Sequence, residues 1–174
     1  MTFKVRRLEP TDDRARFRSG NVELDRFFLR YAGQNQFRHH IGTSYVAVDA
    51  DGRIVGFATV SASEIAPEAL DPTKRKRVPK YPIPVLRLAR LAVDERAMRK
   101  GVGSLLLRAV FFLAQQMAKD VGCVGVLVDA KSEAVAFYER LGFVRLDTVS
   151  GELGDRPPTL AMFLELGSLV PRSR

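Results

Sequence analysis

The chain has 174 residues, of which 46% are hydrophobic and 28% are charged. This size and composition are typical of one soluble globular domain, and they exclude disordered and fibrous proteins. The 28 Lys and Arg residues outnumber the 20 Asp and Glu residues, which gives a net charge of +8. A positive excess of this size favours a polyanionic partner.

Membrane-spanning, secreted and zinc-dependent proteins are disfavoured by the sequence. Uncharged stretches such as 109–118 run to ten residues, whereas a spanning helix needs about 20 apolar ones. The first seven residues, Met-Thr-Phe-Lys-Val-Arg-Arg, have no apolar run behind them, so we expect no secretory signal and a cytoplasmic protein. Cys123, His39 and His40 are the available soft ligands, and they cannot assemble a structural zinc site or a disulfide scaffold.

Hydrophobic periodicity predicts the element order β-α-β-β-(α)-β-α-β-α-β-β, which indicates an α/β fold with a mixed sheet. The predicted strands span residues 3–8, 43–48, 53–61, 85–93, 124–128, 143–146 and 159–166. One helix is predicted to begin after the cap Asn21, and two more are predicted over residues 67–76 and 101–121. The last predicted helix runs from a cap at Ser132 to Gly142. The Asp51-Gly52 pair predicts a tight hairpin between the second and third strands.

No repeat or linker divides the sequence, so we predict one domain over residues 1–167. The tail 168–174 contains Leu-Val-Pro-Arg at 169–172, which matches a thrombin cleavage sequence of the kind used in engineered expression. A match of four residues also arises by chance. We therefore assign no function to the tail.

The positive charge is concentrated in one segment. Residues 73–100 contain ten basic and two acidic residues, and the rest of the chain is neutral overall. Such a field favours a nucleic-acid backbone or a phosphate-rich cofactor, although a solvated basic loop has the same pattern. The candidate contacts to a nucleic-acid substrate are Lys74, Arg75, Lys76, Arg77, Lys80 and Arg90.

A short glycine-containing loop follows the fourth predicted strand, and the longest predicted helix begins directly after it. The strand ends with Leu91, Ala92 and Val93, and the loop consists of Arg99, Lys100, Gly101, Val102, Gly103 and Ser104. Free N–H groups and the positive end of the helix make this loop a candidate pyrophosphate site. An incidental glycine-rich turn is the alternative, because the loop lacks the full P-loop and dinucleotide fingerprints.

Together with Ala134-Val135-Ala136-Phe137-Tyr138-Glu139-Arg140-Leu141-Gly142-Phe143, this loop resembles the GNAT acetyltransferase superfamily, and the resemblance spans most of the chain. The resemblance implies a mixed central sheet, splayed at the acetyl-CoA strand, with helices on both faces. It implies that the main chain of Leu91 to Val93 pairs with the pantetheine arm of acetyl-CoA and that residues 99–104 hold the pyrophosphate. It also implies that Tyr138 protonates the departing thiolate. Met98 stands where the family commonly has Gln or Arg.

Three further runs resemble the tRNA-acetylating toxins of bacterial toxin-antitoxin modules. They are the run 19–28, which begins Ser-Gly-Asn, the run Tyr81-Pro82-Ile83-Pro84, and the run Arg90-Leu91-Ala92-Val93-Asp94. This second resemblance implies the α-amino group of aminoacyl-tRNA as the acceptor and a ribbon-helix-helix antitoxin as a partner. We also expect a homodimer.

Other interpretations stay open at this point. The chain could acetylate a small amine or a protein amino group, or it could be a non-catalytic RNA-binding module on the same fold. Tyr138 is flanked by Phe137 and Phe143, as a core aromatic would be, and Arg90 could instead pair with an acid. The adjacent His39 and His40 are interpreted as surface or structural residues, so no general base is identified.

Overall fold

The computed structural model describes residues 2–70, 72–76, 78–146 and 159–168. Within these residues a seven-stranded sheet has the strand order β1-β2-β3-β4-β5-β7-β6. The strands are β1 Lys4–Arg7, β2 Thr43–Val48, β3 Ile54–Ile65, β4 Ile83–Val93, β5 Gly125–Lys131, β6 Val144–Arg145 and β7 Thr159–Glu165. The predicted α/β fold class is confirmed.

The helices lie where the sequence predicts them, with differences in detail. They are α1 Val22–Arg30, α2 Ala32–Gln34, α3 Pro72–Arg75, α4 Val102–Asp120 and α5 Val135–Arg140. A π-helical turn, Asn35–His39, follows α2, and a 3-10 turn, Pro67–Ala69, precedes α3. No helix in the described part of the chain is both long enough and apolar enough to cross a membrane.

The chain forms two compact units: Met1–Ser61 with Leu88–Leu113 (unit 1), and Ala62–Arg87 with Ala114–Arg174 (unit 2). Strands β3 and β4 and helix α4 each have residues in both units. The single domain predicted over residues 1–167 stays a prediction. The predicted tail 168–174 lies outside the described residues except for the backbone of Ser168.

Unit 1 is built on a cluster of phenylalanine rings. Phe28 stacks on Phe57 with centroids 4.3 Å apart, and Phe17 meets both rings edge-on. Strand β2 pairs antiparallel with β1 and with β3, and the predicted hairpin at residues 49–52 is confirmed, with Gly52 at a φ of +78°. Burial of these aromatic side chains removes a large apolar area from water and stabilises the unit.

Unit 2 has its own apolar core, in which Ile65, Ile83, Val85, Leu146 and Phe163 pack together. Strand β7 pairs antiparallel with β5 along its whole length and with β6 at Val144 and Arg145. Cys123 is buried, as predicted, and burial raises the pKa of its thiol.

Two local predictions have clear outcomes. Asn21 caps α1 as predicted, because its side-chain oxygen accepts a hydrogen bond from the N–H of Leu24 at 3.1 Å. The prediction that Ser132 caps the helix containing Tyr138 is wrong. Ser132 begins a 3-10 turn, Ser132–Ala134, its hydroxyl lies 3.1 Å from Glu133 Oε2, and α5 begins only at Val135.

Candidate active site

The last residues of β4 are fixed to the core of unit 1. Ala92 is buried in the phenylalanine cluster, whereas Leu91 and Val93 are half-buried. One residue further on, the N–H of Asp94 donates to the carbonyl of Val55 on β3 at 2.8 Å. The backbone predicted to pair with the pantetheine arm therefore has a fixed position within unit 1.

The loop before α4 turns sharply through two residues with left-handed backbone. Arg99 has a φ of +63°, which is uncommon for a residue other than glycine, and Gly101 has a φ of +81°. Helix α4 begins at Val102, and the N–H of Leu105 donates to the carbonyl of Gly101 at 3.0 Å. The first N–H groups of a helix have no partner within it, and they lie at its positive end. The loop therefore presents backbone donors to an anion.

The surroundings of this loop fit a diphosphate. The side chains of Arg99 and Lys100 are exposed, so their positive charges can approach a ligand. A Cβ atom built on Gly101 has no neighbour within 4 Å, so the space beside it is open. Glycine is needed at this position because of its backbone angle. The donor set, with its backbone N–H groups and two cationic side chains, matches the diphosphate of acetyl-CoA.

Arg90 lies on β4 directly before Leu91, the first residue of the predicted pantetheine segment. Its side chain is half-buried, and its guanidinium carbon lies 3.7 Å from the centre of the Phe27 ring on α1. A guanidinium over an aromatic face is attracted by the negative potential of that face. The sequence left open whether Arg90 meets a substrate or an acid, and it did not indicate this aromatic contact.

Asp94 is a residue that the sequence interpretation did not single out as functional. Its carboxylate is 1% exposed and accepts hydrogen bonds from Arg96 and from the backbone N–H of Arg18. Burial opposes ionisation, but these hydrogen bonds and the charge of Arg96 lower the pKa of Asp94 on balance. Asp94 therefore carries a negative charge at neutral pH, at the end of β4.

Tyr138 is the buried residue of α5 in unit 2. It is 5% exposed, and its ring meets those of Phe137 and Phe143 edge-on with centroids 5.3 Å apart. Burial raises the pKa of Tyr138 to about 12. Its hydroxyl therefore stays protonated at neutral pH, which a general acid requires, although the packing is also that of a core aromatic.

The basic segment predicted to bind a nucleic acid is only partly described. Arg75, Lys76 and Lys80 are exposed in unit 2, whereas Arg77 and the side chain of Lys74 lie outside the described residues. The guanidinium of Arg75 donates to the carbonyls of Glu68 and Leu70 at 3.0 and 3.2 Å. Arg75 therefore holds its own loop as well as adding charge.

The predicted acetyl-CoA residues 91–93 and 99–104 lie in unit 1 with Arg90, while Tyr138 and Arg75, Lys76 and Lys80 lie in unit 2. His39 and His40 are exposed at the end of the π-helical turn, in agreement with their interpretation as surface residues.

Residues 40–145 match the acetyltransferase (GNAT) domain family, a range that contains β4, the glycine loop and Tyr138. The chain belongs to the GNAT acetyltransferases. Since this family transfers acetyl groups from acetyl-CoA, the predicted family and enzyme class are confirmed.

Individual relatives of this GNAT chain are toxins. It is 34% identical over 139 residues to a tRNA-acetylating toxin of Mycobacterium tuberculosis (strain ATCC 25618 / H37Rv). The aligned residues cover 79% of this chain and 82% of the relative. The structure of AtaT complexed with acetyl-methionyl-tRNAfMet is 25% identical, with a TM-score of 0.83 and 97% of both chains covered. The structure of AtaTR bound with AcCoA is also 25% identical, with a TM-score of 0.77 and 96% and 95% covered.

Proposed function

We propose that this GNAT enzyme transfers an acetyl group from acetyl-CoA to the α-amino group of aminoacyl-tRNA. The observation that carries the proposal is the placement of charge: residues 73–100 contain ten basic and two acidic residues and include both the end of β4 and the start of the glycine loop. A small uncharged amine gives no reason for such a field, whereas a tRNA backbone does. The relatives named for tRNA support the same acceptor.

Acetyl-CoA, when bound, supplies the acetyl group as a thioester. We propose that the backbone of Leu91, Ala92 and Val93 binds its pantetheine arm and that residues 99–104 hold its diphosphate. The N–H groups near Val93 stabilise the negative charge that develops on the thioester oxygen during attack by the amine. The backbone there is anchored in unit 1 by the hydrogen bond from the N–H of Asp94 to the carbonyl of Val55, so it needs little reorganisation during the reaction.

Tyr138 supplies the proton that the leaving sulfur needs as the C–S bond breaks and the C–N bond forms. Because its pKa is raised to about 12, the hydroxyl is fully protonated at neutral pH. The acceptor loses a proton to solvent, since an α-amine has a pKa of about 7.7–8.0 and an adjacent ester lowers it further. A substantial neutral fraction therefore exists without a dedicated base.

Acetylated aminoacyl-tRNA has a blocked amine, so the product would not enter elongation and the enzyme would act as a toxin on translation. We propose a cytoplasmic location, where charged tRNA is found, a ribbon-helix-helix antitoxin as partner, and a homodimer. Lys76 and Lys80, with Lys74, Arg75, Arg77 and Arg90, are the proposed contacts to the tRNA.

The test uses radiolabelled acetyl-CoA with four acceptors: aminoacyl-tRNA, the same tRNA without its amino acid, the free amino acid and a basic peptide. We expect label in the aminoacyl-tRNA alone, released as N-acetyl amino acid when mild alkali cleaves the ester. Equal labelling of charged and uncharged tRNA would contradict the proposal. Preferential labelling of the peptide or the free amino acid would indicate a small-amine or protein acetyltransferase.

A further inference from the structure

A buried carboxylate lies between the two backbone segments that are proposed to bind acetyl-CoA. Among the described residues, Asp94 is the only charged side chain that is fully buried, and it directly follows β4. Burial of a charge costs free energy unless hydrogen bonds and an opposite charge compensate for it. The hydrogen bonds that compensate for burial of the Asp94 charge therefore indicate the role of this residue.

Each carboxylate oxygen of Asp94 accepts two hydrogen bonds. Oδ1 accepts from the backbone N–H and from Nε of Arg96, each at 3.0 Å. Oδ2 accepts from the backbone N–H of Arg18 at 3.1 Å and from Nη2 of Arg96 at 3.3 Å. The acceptor capacity of the carboxylate is thus used by donors from two separate parts of the chain.

The backbone around Asp94 is held by the same neighbours. The N–H of Glu95 donates to the carbonyl of Arg18, and the N–H of Ala97 donates to the carbonyl of Asp94, both at 2.8 Å. Together with the bond from Asp94 to Val55, these contacts fix the chain from the last residue of β4 to the turn before the glycine loop.

The turn that follows Asp94 is packed against residues of the run 19–28, which begins Ser-Gly-Asn. Gly20 has a φ of +89°, and a Cβ atom there would lie 2.8 Å from Oε1 of Glu95. The next residue, Asn21, caps α1, and the Ser19 hydroxyl lies 2.6 Å from Oδ1 of Asp25 on that helix. The start of α1 is thereby packed against the turn that Asp94 holds.

We propose that Asp94 is a positioning residue for acetyl transfer: it fixes the end of β4 and the entry to the glycine loop in the relative placement that acetyl-CoA binding requires. The inference rests on the proposed assignment of residues 91–93 and 99–104 to acetyl-CoA. It extends that assignment because the buried Asp94 carboxylate is bonded to Arg96 and Arg18 and acts through the backbone on both sides of it.

A residue that only stabilises the fold would lower the melting temperature and the folded fraction. It would leave the acetyl-CoA affinity of the folded molecules unchanged. A positioning residue changes that affinity, because misplaced donors bind the ligand less well. The dissociation constant for acetyl-CoA therefore separates the two roles.

The experiment compares Asp94→Asn with Asp12→Asn. Asp12 is a matched control in unit 1: its side chain is 11% exposed, it forms a two-bond ion pair with Arg6, and it accepts a backbone N–H from Glu9. Calorimetry with acetyl-CoA and thermal unfolding are measured on both variants. We expect both to melt earlier, and only Asp94→Asn to bind acetyl-CoA about tenfold more weakly.

A second variant, Arg96→Ala, removes two of the four donors to Asp94 while leaving the carboxylate and its backbone donors in place. Since the Arg96 side chain is 63% exposed, this change should not prevent folding, and we expect it to raise the acetyl-CoA dissociation constant about threefold. If Asp94→Asn does not fold, this variant decides. An acetyl-CoA affinity equal to that of the wild type in the folded variants overturns the inference.

Acetyl-CoA binding needs no acceptor, so the two proposals fail separately. A wild-type protein that binds acetyl-CoA but does not acetylate aminoacyl-tRNA contradicts the proposed function and leaves the role of Asp94 intact. A wild-type protein that does not bind acetyl-CoA overturns both.

Discussion

The guanidinium of Arg90 lies over the ring of Phe27, with its carbon 3.7 Å from the centre of that ring. Phe27 is 6% exposed and belongs to α1, whereas Arg90 belongs to β4 directly before the proposed pantetheine segment. The contact therefore joins the first helix to the strand of the proposed active site. It restricts the rotamers of Arg90 and holds a positive charge at a defined place.

Replacing Arg90 by Lys should weaken binding of the acceptor while leaving acetyl-CoA binding intact. A lysine keeps the charge, but it loses the guanidinium that lies over the Phe27 ring, and we expect about a tenfold rise in KM for aminoacyl-tRNA. Steady-state kinetics with each substrate varied in turn checks this. Arg87→Lys is the control, because Arg87 on the same strand is exposed and pairs with Asp129. A rise in the acetyl-CoA KM alone would contradict the substrate role.

Tyr138→Phe should lower kcat without weakening the binding of acetyl-CoA. The change removes only the hydroxyl and keeps the ring that packs against Phe137 and Phe143, so the fold is retained. Loss of a general acid costs roughly a hundredfold or more in rate. Rapid-quench measurement of acetyl transfer, with calorimetry for acetyl-CoA, separates the two effects. Tyr31→Phe, at an exposed tyrosine, is the matched control and should keep the wild-type rate.

The pH profile of kcat/KM should rise once and then stay level. It rises as the acceptor amine deprotonates, with an apparent pKa at or below about 7.7–8.0. No decline from loss of the Tyr138 proton is expected at pH 9 or 10, because burial raises the pKa of this tyrosine to about 12. The free energy of unfolding depends on the same pKa. The stabilisation from keeping Tyr138 neutral is present below pH 10 and is lost as pH rises towards 12. A bell-shaped profile with a decline near pH 9 would exclude Tyr138 as the acid.

Local signals explain why much of the fold could be predicted. The cap Asn21 and the Asp-Gly hairpin act within a few residues, so the sequence contains the whole interaction. Asp94 is different. An aspartate after an apolar strand has the pattern of a surface turn, and its burial depends on Arg18, which lies 76 positions earlier in the chain. The contact between Arg90 and Phe27 is likewise tertiary.

Two other contacts are local in sequence and still could not be predicted from residue type. Ser132 has the residue type and position of a helix cap, but the chain inserts a 3-10 turn before α5, and its hydroxyl pairs with Glu133 instead. The sequence predicts Arg75 as a nucleic-acid contact, and its guanidinium in addition donates hydrogen bonds to two backbone carbonyls of the preceding turn. Residue type does not show which of several nearby polar groups a side chain pairs with.

Gly101→Ala should weaken acetyl-CoA binding through the backbone alone. An alanine at a φ of +81° is strained by about 1–2 kcal/mol, and relaxation of that strain turns the loop amides away from the diphosphate. Gly52→Ala is the control: its φ is +78° and the space around it is equally open, but it lies in the hairpin between β2 and β3. Both variants should lose similar stability in urea unfolding, and only Gly101→Ala should bind acetyl-CoA less tightly. Equal affinities would remove residue 101 from the proposed site.

The basic segment should make tRNA binding strongly dependent on salt. Each lysine that neutralises a phosphate releases a counterion, so Lys76→Ala and Lys80→Ala should each reduce the slope of log K against log salt by about one unit. Filter binding of aminoacyl-tRNA over a salt series measures this slope. Lys119→Ala, at an exposed position in the last turn of α4 and outside residues 73–100, should leave the slope unchanged. Acetyl-CoA binding in the lysine variants should match the wild type, because Lys76 and Lys80 lie outside the proposed acetyl-CoA segments. If Lys119→Ala reduces the slope as much as Lys76→Ala does, the attraction is a property of the total charge and the segment is not a docking site.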